Sequence, residues 1–274
     1  MADTPINNQN TQSGGRTKKR SLVAIALLGL LGCVFVSLGN WQLSRADERR
    51  EIAAMIEAGR QSPPINLTAT TITSALKPWQ SAQASGHWLA QFSVLLDNRN
   101  LDGKPGFWLA TPLALTNDTA VLVLRGWVAR PIGNYNPFPV VEQDKAAVSV
   151  KGEVAMRVPQ LFELSDDSPL AIGKQPVSAL TEHRLALNLN QLPQRQNVST
   201  AEMSQITGLN FLPVVLMQTD PTDGVGLQRQ WPTPSIDSDT NMGYAMQWFS
   251  FAAIAFGAMG ILLWKALGRA KIRR

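Results

Sequence analysis

Two stretches without a charged side chain, one near each end, constrain this chain of 274 residues more than any other feature. Ser21–Ser44 and Asn241–Trp264 each run for 24 residues without Asp, Glu, Lys or Arg. As helices rising about 1.5 Å per residue, either is long enough to cross a hydrocarbon core of about 30 Å. The apolar run Leu22–Leu38 is longer than the roughly 7–15 residues of a cleaved export signal, and its exit, Gly39-Asn40-Trp41-Gln42-Leu43, offers no small-residue cleavage site. It reads as an uncleaved anchor. The second span is richer in small residues (Ala245, Ala252, Ala253, Ala255, Gly257, Ala258, Gly260), a composition that lets helices pack closely in lipid.

Charge sets the orientation. A net charge of +5 would by itself suggest nucleic acid as a partner. The basic residues, however, are gathered in the tails: Arg16, Lys18, Lys19 and Arg20 before the first span, and Lys265, Arg269, Lys271, Arg273 and Arg274 after the second. Counting Asp3, the tails carry +8 and the remainder −3, so no nucleic-acid surface is expected. Lys and Arg flanking membrane spans stay in the cytoplasm, and both clusters lie on the tail side of their span. The expected organisation is a disordered cytoplasmic tail (1–20), a first transmembrane helix (21–44), an extracytoplasmic domain (45–240), a second transmembrane helix (241–264) and a basic cytoplasmic tail (265–274). Trp41, Trp248 and Trp264 fit interfacial positions against membrane lipid. The tail lacks the regular arginines of an organellar presequence, which makes a bacterial plasma (inner) membrane the expected location, with a periplasmic domain.

The central domain reads as mainly antiparallel β (α+β), a sandwich or partly open barrel. Ser44–Gln61 has helical spacing, with Ile52, Met55, Ile56 and Gly59 on one side, and should continue the first span until Pro63-Pro64 stops it. Candidate strands follow at Ser81–Trp88, Gln91–Leu96, Phe107–Thr111, Ala120–Val128, Ala147–Met156, Leu185–Leu189 and Val214–Gln218. Turn signals separate them at Asp102–Gly106, Thr116–Asp118 and Pro137–Pro139, and Thr200–Ile206 reads as a short helix capped by Ser199 or Thr200.

Little in this domain points to catalysis. The two histidines, His87 and His183, lie at no metal-ligand spacing, and Cys33, the single cysteine, is inside the first span. No nucleophile elbow or phosphate-binding glycine loop occurs, and Asp166-Asp167 reads as a solvated pair in a loop. The expectation is a protein that is not an enzyme. Polar and aromatic residues at the membrane boundary are more informative. The first span leaves through Trp41-Gln42-Leu43-Ser44-Arg45 and the second enters through Gly243-Tyr244-Ala245-Met246-Gln247-Trp248-Phe249. An amide without a hydrogen-bond partner costs several kcal/mol in hydrocarbon, so Gln42 and Gln247 each require a partner in protein, headgroup or ligand.

These segments resemble the Surfeit-locus family of cytochrome c oxidase assembly factors. The resemblance rests on Gly39-x-Trp41-Gln42-x-x-Arg45, on Leu96-Asp97-Asn98-Arg99 with Gly103-x-Pro105-Gly106-Phe107 and Thr111-Pro112-Leu113, on the Arg125-Gly126-Trp127 strand, and on Gly243-Tyr244-Ala245-x-Gln247-Trp248-Phe249, in that order. It implies a bacterial member that helps to build a haem–copper oxidase, acting on the catalytic subunit, with haem a synthesis enzymes as further partners and haem a as a transient cofactor. By the same resemblance Arg45 and Arg125, where surface-exposed, would pair with haem propionates, and Trp41, Tyr244 and Trp248 would stack on a porphyrin or a partner helix, with Gln42 and Gln247 between them. Arg125-Gly126-Trp127 also reads as a structural strand with an internal ion pair, and that reading is the favoured one. One position departs from the pattern. Where the family often has a histidine three residues before the Tyr-Ala pair, this chain has Asn241, which offers an amide in place of an imidazole nitrogen. That tips the expectation from iron ligation towards partner recognition. The alternative in another class is a membrane-anchored scaffold or sensor with no cofactor.

Overall fold

The computed structural model describes residues 12–131, 146–160, 188–220 and 226–271. The expected turn at Pro137–Pro139, Asp166-Asp167 and His183 lie outside them. The chain forms two compact units, one of helices from both ends (1–53 and 234–274) and one of strands (54–233).

Helix α1 runs over Gln12–Arg60 and α3 over Asp239–Lys271, and both are long and apolar enough to cross a membrane. Proline at 63 and 64 ends α1, since the residue before a proline is driven out of the helical region. α1 also takes in Gln12–Arg20, where disorder was expected; extending an existing helix costs little once the apolar span has nucleated it. α3 opens on Asp237, whose carboxylate accepts from the amides of Asp239 (3.0 Å) and Thr240 (3.4 Å) and from the Thr240 hydroxyl (2.6 Å). Those bonds, the Thr240 hydroxyl first, hold the Asp237 carboxyl below its ordinary pKa.

The two helices pack antiparallel, because contact partners fall in number along one as they rise along the other. A Cβ added at Gly29 would lie 3.2 Å from Met259, one at Gly32 2.6 Å from the Phe256 ring, and one at Gly39 2.7 Å from the Phe249 ring. The close approach is therefore made by glycines of α1 receiving side chains of α3, with Ala245, Ala252 and Ala255 buried in the seam. The α3 glycines at 243, 257 and 260 have nothing within 4 Å of a Cβ and take no part. Phe35 stacks on Trp248 at 5.7 Å between ring centroids, and Phe251 closes the cluster.

The second unit is a closed five-strand barrel. Its strands are β2 (Ser81–Trp88), β4 (Lys104–Ala114), β5 (Thr119–Ala129), β6 (Val148–Ala155) and β8 (Asn210–Gln218), hydrogen-bonded in the order β2-β6-β8-β5-β4. β4 returns to β2 through His87 opposite Ala114 and Trp88 opposite Leu113, and that pairing closes the ring. Gly86 allows it: a Cβ there would sit 2.0 Å from the Ala114 carbonyl oxygen. Along β5 the side chains alternate, as a strand requires. Val121 and Val123 join Ala82, Ala84, Leu113, Val150, Val154, Val214 and Leu216, a cluster drawn from all five strands and hence the barrel interior. Ala120, Leu122 and Leu124 face the other way, against Phe92, Trp108, Val215 and Met203 of helix α2 (Thr200–Thr207). Ser199 caps α2, its hydroxyl accepting from the Glu202 amide at 3.1 Å, and Gly208 ends it in the left-handed region.

Three further strands extend the sheet: β1 (Ile65–Leu67), β3 (Val94–Leu101) and β7 (Gln194–Arg195). The pairings β1–β2, β3–β7 and β5–β8 are parallel within an otherwise antiparallel sheet. The expected strand Gln91–Leu96 is displaced, since Ala90–Phe92 form a 3-10 turn that buries Phe92 before β3 starts. The expected turn over Asp102–Gly106 is tighter. Asp102 (φ 50°) and Gly103 (φ 75°) make a two-residue hairpin turn of the twist that strands favour, and β4 resumes at Lys104. Of the expected strand Leu185–Leu189, the residues before 188 are not described and Leu189 is buried in a 3-10 turn. Met55, expected on the inner side of α1, is exposed, whereas Ile56 is buried and a Cβ at Gly59 would overlap the Pro78 carbonyl.

Candidate functional site

Where the apolar stretch of α1 gives way to polar sequence, α1 meets the start of α3 through polar contacts. Asn241 Nδ2 donates to Gln42 Oε1 at 2.7 Å, and Arg49 Nη1 donates to the Asp237 carbonyl at 2.5 Å. The Gln42 amide thus finds its partner across the helix pair, in the residue that stands at the family's histidine position. Asn241 Oδ1 is buried and accepts no hydrogen bond among the described residues. An amide so engaged is part of the seam between the helices.

The other predicted residues divide by face. Trp248 lies in the seam, stacked on Phe35. Trp41 (53 % exposed) and Tyr244 (49 % exposed) face outwards, as does Gln247. Arg45 is also exposed; its guanidinium lies 5.9 Å from the Trp41 ring centroid and 2.9 Å from the Glu48 carboxylate. Exposed ion pairs of this kind contribute roughly 0–1 kcal/mol, which leaves Arg45 available to another anion. The arrangement offers two aromatic faces, a guanidinium and an amide at one end of an apolar helix pair. That set can stack on a flat ring or a helix and bind a carboxylate.

Arg125 belongs to the strand unit and is 2 % exposed. Leu109 pairs with Gly126 and Ala110 with Leu124, so Arg125 is the extra residue of a β-bulge. Its guanidinium lies 4.5 Å from the Trp88 ring centroid. The next residue, Gly126, admits a neighbouring segment, for a Cβ there would lie 2.8 Å from Leu227 Cβ. Trp127 exchanges backbone hydrogen bonds with Gln228 at 2.6 and 2.9 Å. The exposure that propionate pairing would require of Arg125 is absent in this unit.

Sequence reasoning gave no role to Arg99, although it quoted the segment that contains it. Arg99 is 4 % exposed, stacks 4.5 Å from the Trp108 ring centroid, and donates from Nη2 to the Gln196 carbonyl at 2.7 Å. Burial lowers its pKa to about 10, partly offset by the nearby Asp97 charge. Asp97 pairs with Arg130, whose guanidinium covers Phe107, and Trp127 Nε1 donates to the Arg99 carbonyl at 2.6 Å. Gly106 fits beneath the Trp127 ring, where a Cβ would come within 2.5 Å. The segments around 97–99, 103–107 and 125–127 therefore build one corner of the barrel unit. The signal for this was a spacing of arginines and tryptophans on neighbouring strands, which only the register makes meaningful.

A model of the SURF1 family matches residues 29–253. A SURF1-like protein of Rickettsia felis is 36 % identical over 96 residues, covering 34 % of this chain and 41 % of that protein. An uncharacterized SURF1-like protein of Mycobacterium bovis is 23 % identical over 238 residues, 85 % of this chain and 79 % of its own length. A SURF1-like protein of Dictyostelium discoideum is 24 % identical over 246 residues, 80 % and 88 % of the two chains.

Proposed function

The chain belongs to the SURF1 family, a family of cytochrome oxidase assembly factors, and on that premise we propose that it is a non-enzymatic factor that helps to build a haem–copper cytochrome c oxidase. It acts on the catalytic subunit at the membrane, with both termini cytoplasmic and the barrel on the outer side. The observation that carries this is the family match across both apolar helices and the domain between them. The orientation draws its support from the basic tails, and is tested by fusing alkaline phosphatase after Thr233 and, separately, after Arg274. Activity is expected only from the first fusion, and an active second fusion would reverse the assignment.

Within that role, the outer end of the helix pair is the working surface, with Trp41, Arg45, Tyr244 and Gln247 presented outwards and Gln42 and Trp248 holding the pair together. Delivery of haem a is the finer assignment, for which aromatic stacking by Trp41 and Tyr244 and carboxylate pairing by Arg45 supply the chemistry. Recognition of a protein partner without a cofactor is the second assignment. It is favoured by Asn241, whose amide donates to Gln42 and which brings no imidazole to an iron. Absorption spectra of the full-length protein purified from cells making haem a separate the two. A haem carrier shows a Soret band that Tyr244→Ala weakens; a partner-recognition factor shows none, and Tyr244→Ala weakens its co-purification with the catalytic subunit instead.

A further inference from the structure

Gln42, Asn241 and Gln247 lie at one end of the spans, and the structure treats them differently. Gln42 and Asn241 meet each other at the boundary. The Gln247 side chain is exposed and makes no hydrogen bond among the described residues. It sits six residues further along α3 than Asn241, about 9 Å deeper at 1.5 Å per residue. A core of about 30 Å takes roughly 20 of the 24 uncharged residues, which puts Gln247 inside the apolar phase if the span is centred. Polar side chains within membranes face a bundle interior and pair with one another, because hydrocarbon offers them nothing.

The position of Gln247 on the pair says what meets it. Gln42 and Asn241 face each other on antiparallel helices. Turning about 100° per residue from that contact, Gly39 and Phe249 fall on one side of the plane through both axes, as their packing confirms. Trp41 and Arg45 of α1 and Tyr244 and Gln247 of α3 fall on the other. Gln247 thus stands in an i, i+3, i+7 row with Tyr244 and Phe251, both exposed, beside Trp41 on the neighbouring helix. This is a helix-wide apolar strip with one amide inside it and one cation at its outer end.

We propose that this strip is the seat of a third transmembrane helix, one that carries an amide, hydroxyl or carboxyl side chain level with Gln247 and an acidic group near Arg45. The inference rests on the assembly role proposed above, under which that helix belongs to the oxidase catalytic subunit. An amide can both donate to and accept from such a side chain, and the strip supplies the apolar contact on either side. A lipid tail would leave both capacities of the amide unmet. The buried Asn241 Oδ1, which also lacks a donor, marks the same end of the pair as short of polar partners.

The test uses the full-length protein in its own membranes. A benzophenone amino acid is placed at position 247 and, in a second variant, at Ala253, which is exposed on the side of the seam glycines. Irradiation is expected to join position 247 to a transmembrane segment of the catalytic subunit and position 253 to lipid. Gln247→Leu should reduce co-purification of that subunit about fivefold, with Gln247→Asn close to the unchanged protein. Lipid adducts alone at position 247, equal labelling from both positions, or adducts with a second copy of this chain would each overturn the docking helix. The assembly role is read separately, from oxidase activity in cells lacking the chain. If activity is lost in those cells while position 247 labels only lipid, the role survives and the docking site does not.

Discussion

The barrel unit and the helix pair handle their polar and aromatic residues in opposite ways. In the barrel, arginines are drawn inside and laid on aromatic faces: Arg99 on Trp108 and Arg125 on Trp88, each ring centroid 4.5 Å away and each arginine almost fully buried. In the helix pair, Trp41, Arg45, Tyr244 and Gln247 are exposed, while Gln42, Asn241 and Trp248, together with Arg49, Phe249 and Phe256, hold the helices together. A motif arginine buried on an aromatic ring is held by the packing of its own unit, even where, as at Arg99 Nε, a nitrogen has no hydrogen-bond partner among the described residues. A motif residue left exposed at a membrane boundary has contacts still to make. The proposed function draws on the helix ends for that reason.

Substitutions can break that contrast, beginning where the effect on stability is largest. Gly86→Val drives a side chain into the Ala114 carbonyl at the barrel closure and should cost roughly 4 kcal/mol or more, measured as loss of the thermal transition of the purified protein. Arg99→Ala should cost about 3 kcal/mol by emptying the space over Trp108 and orphaning the Gln196 carbonyl. Arg99→Met, which fills the space without a desolvated charge, should cost less, about 1 kcal/mol. The same pair of proteins carries a pH signature. The folded pKa of Arg99, about 10, lies below that of an ordinary guanidinium, so between the two the unfolded chain holds a proton that the folded one has released. Stability of the unchanged protein should therefore gain on that of Arg99→Met as pH rises through this window.

Smaller effects sharpen the other half of the comparison. Asn241→Leu leaves the Gln42 amide unmet and should loosen the helix pair by about 1–2 kcal/mol, read from cross-linking between cysteines placed on the two helices in a Cys33→Ala background. Adding Gln42→Leu removes the orphan and should recover most of the loss. A double variant as loose as the single one would mean that the amides are not a pair.

Much of the frame was legible in the sequence because it rests on local signals. Charge-free spans, the Pro63-Pro64 stop, the β-prone run Ala120–Val128 and the Ser199 cap each need only neighbours in sequence. β2 was expected over the residues it occupies. What escaped depends on partners far away in the chain. Gly86 reads as a strand-end glycine until Ala114 faces it, and the two-residue β7 has no alternation to detect. The bulge at Arg125, and the burial it brings, cannot be seen in one strand alone, which left an exposed and a structural reading both open. Asn241 was recognised as a departure from the family pattern, but its hydrogen bond to Gln42 spans 199 positions. The need of Gln42 and Gln247 for partners in protein, headgroup or ligand was legible; which residue meets Gln42 was not.

The division of labour between the two units is tested most directly by Trp41→Ala combined with Tyr244→Ala. Neither side chain packs in the seam, so the double variant should reach normal abundance in the membrane with stability unchanged to within about 0.5 kcal/mol. Cytochrome c oxidase activity per unit of this protein in the same membranes is the measurement. A fall of fivefold or more at unchanged abundance is the predicted result. Full oxidase activity in that variant would place the function elsewhere and contradict the assignment of the helix ends.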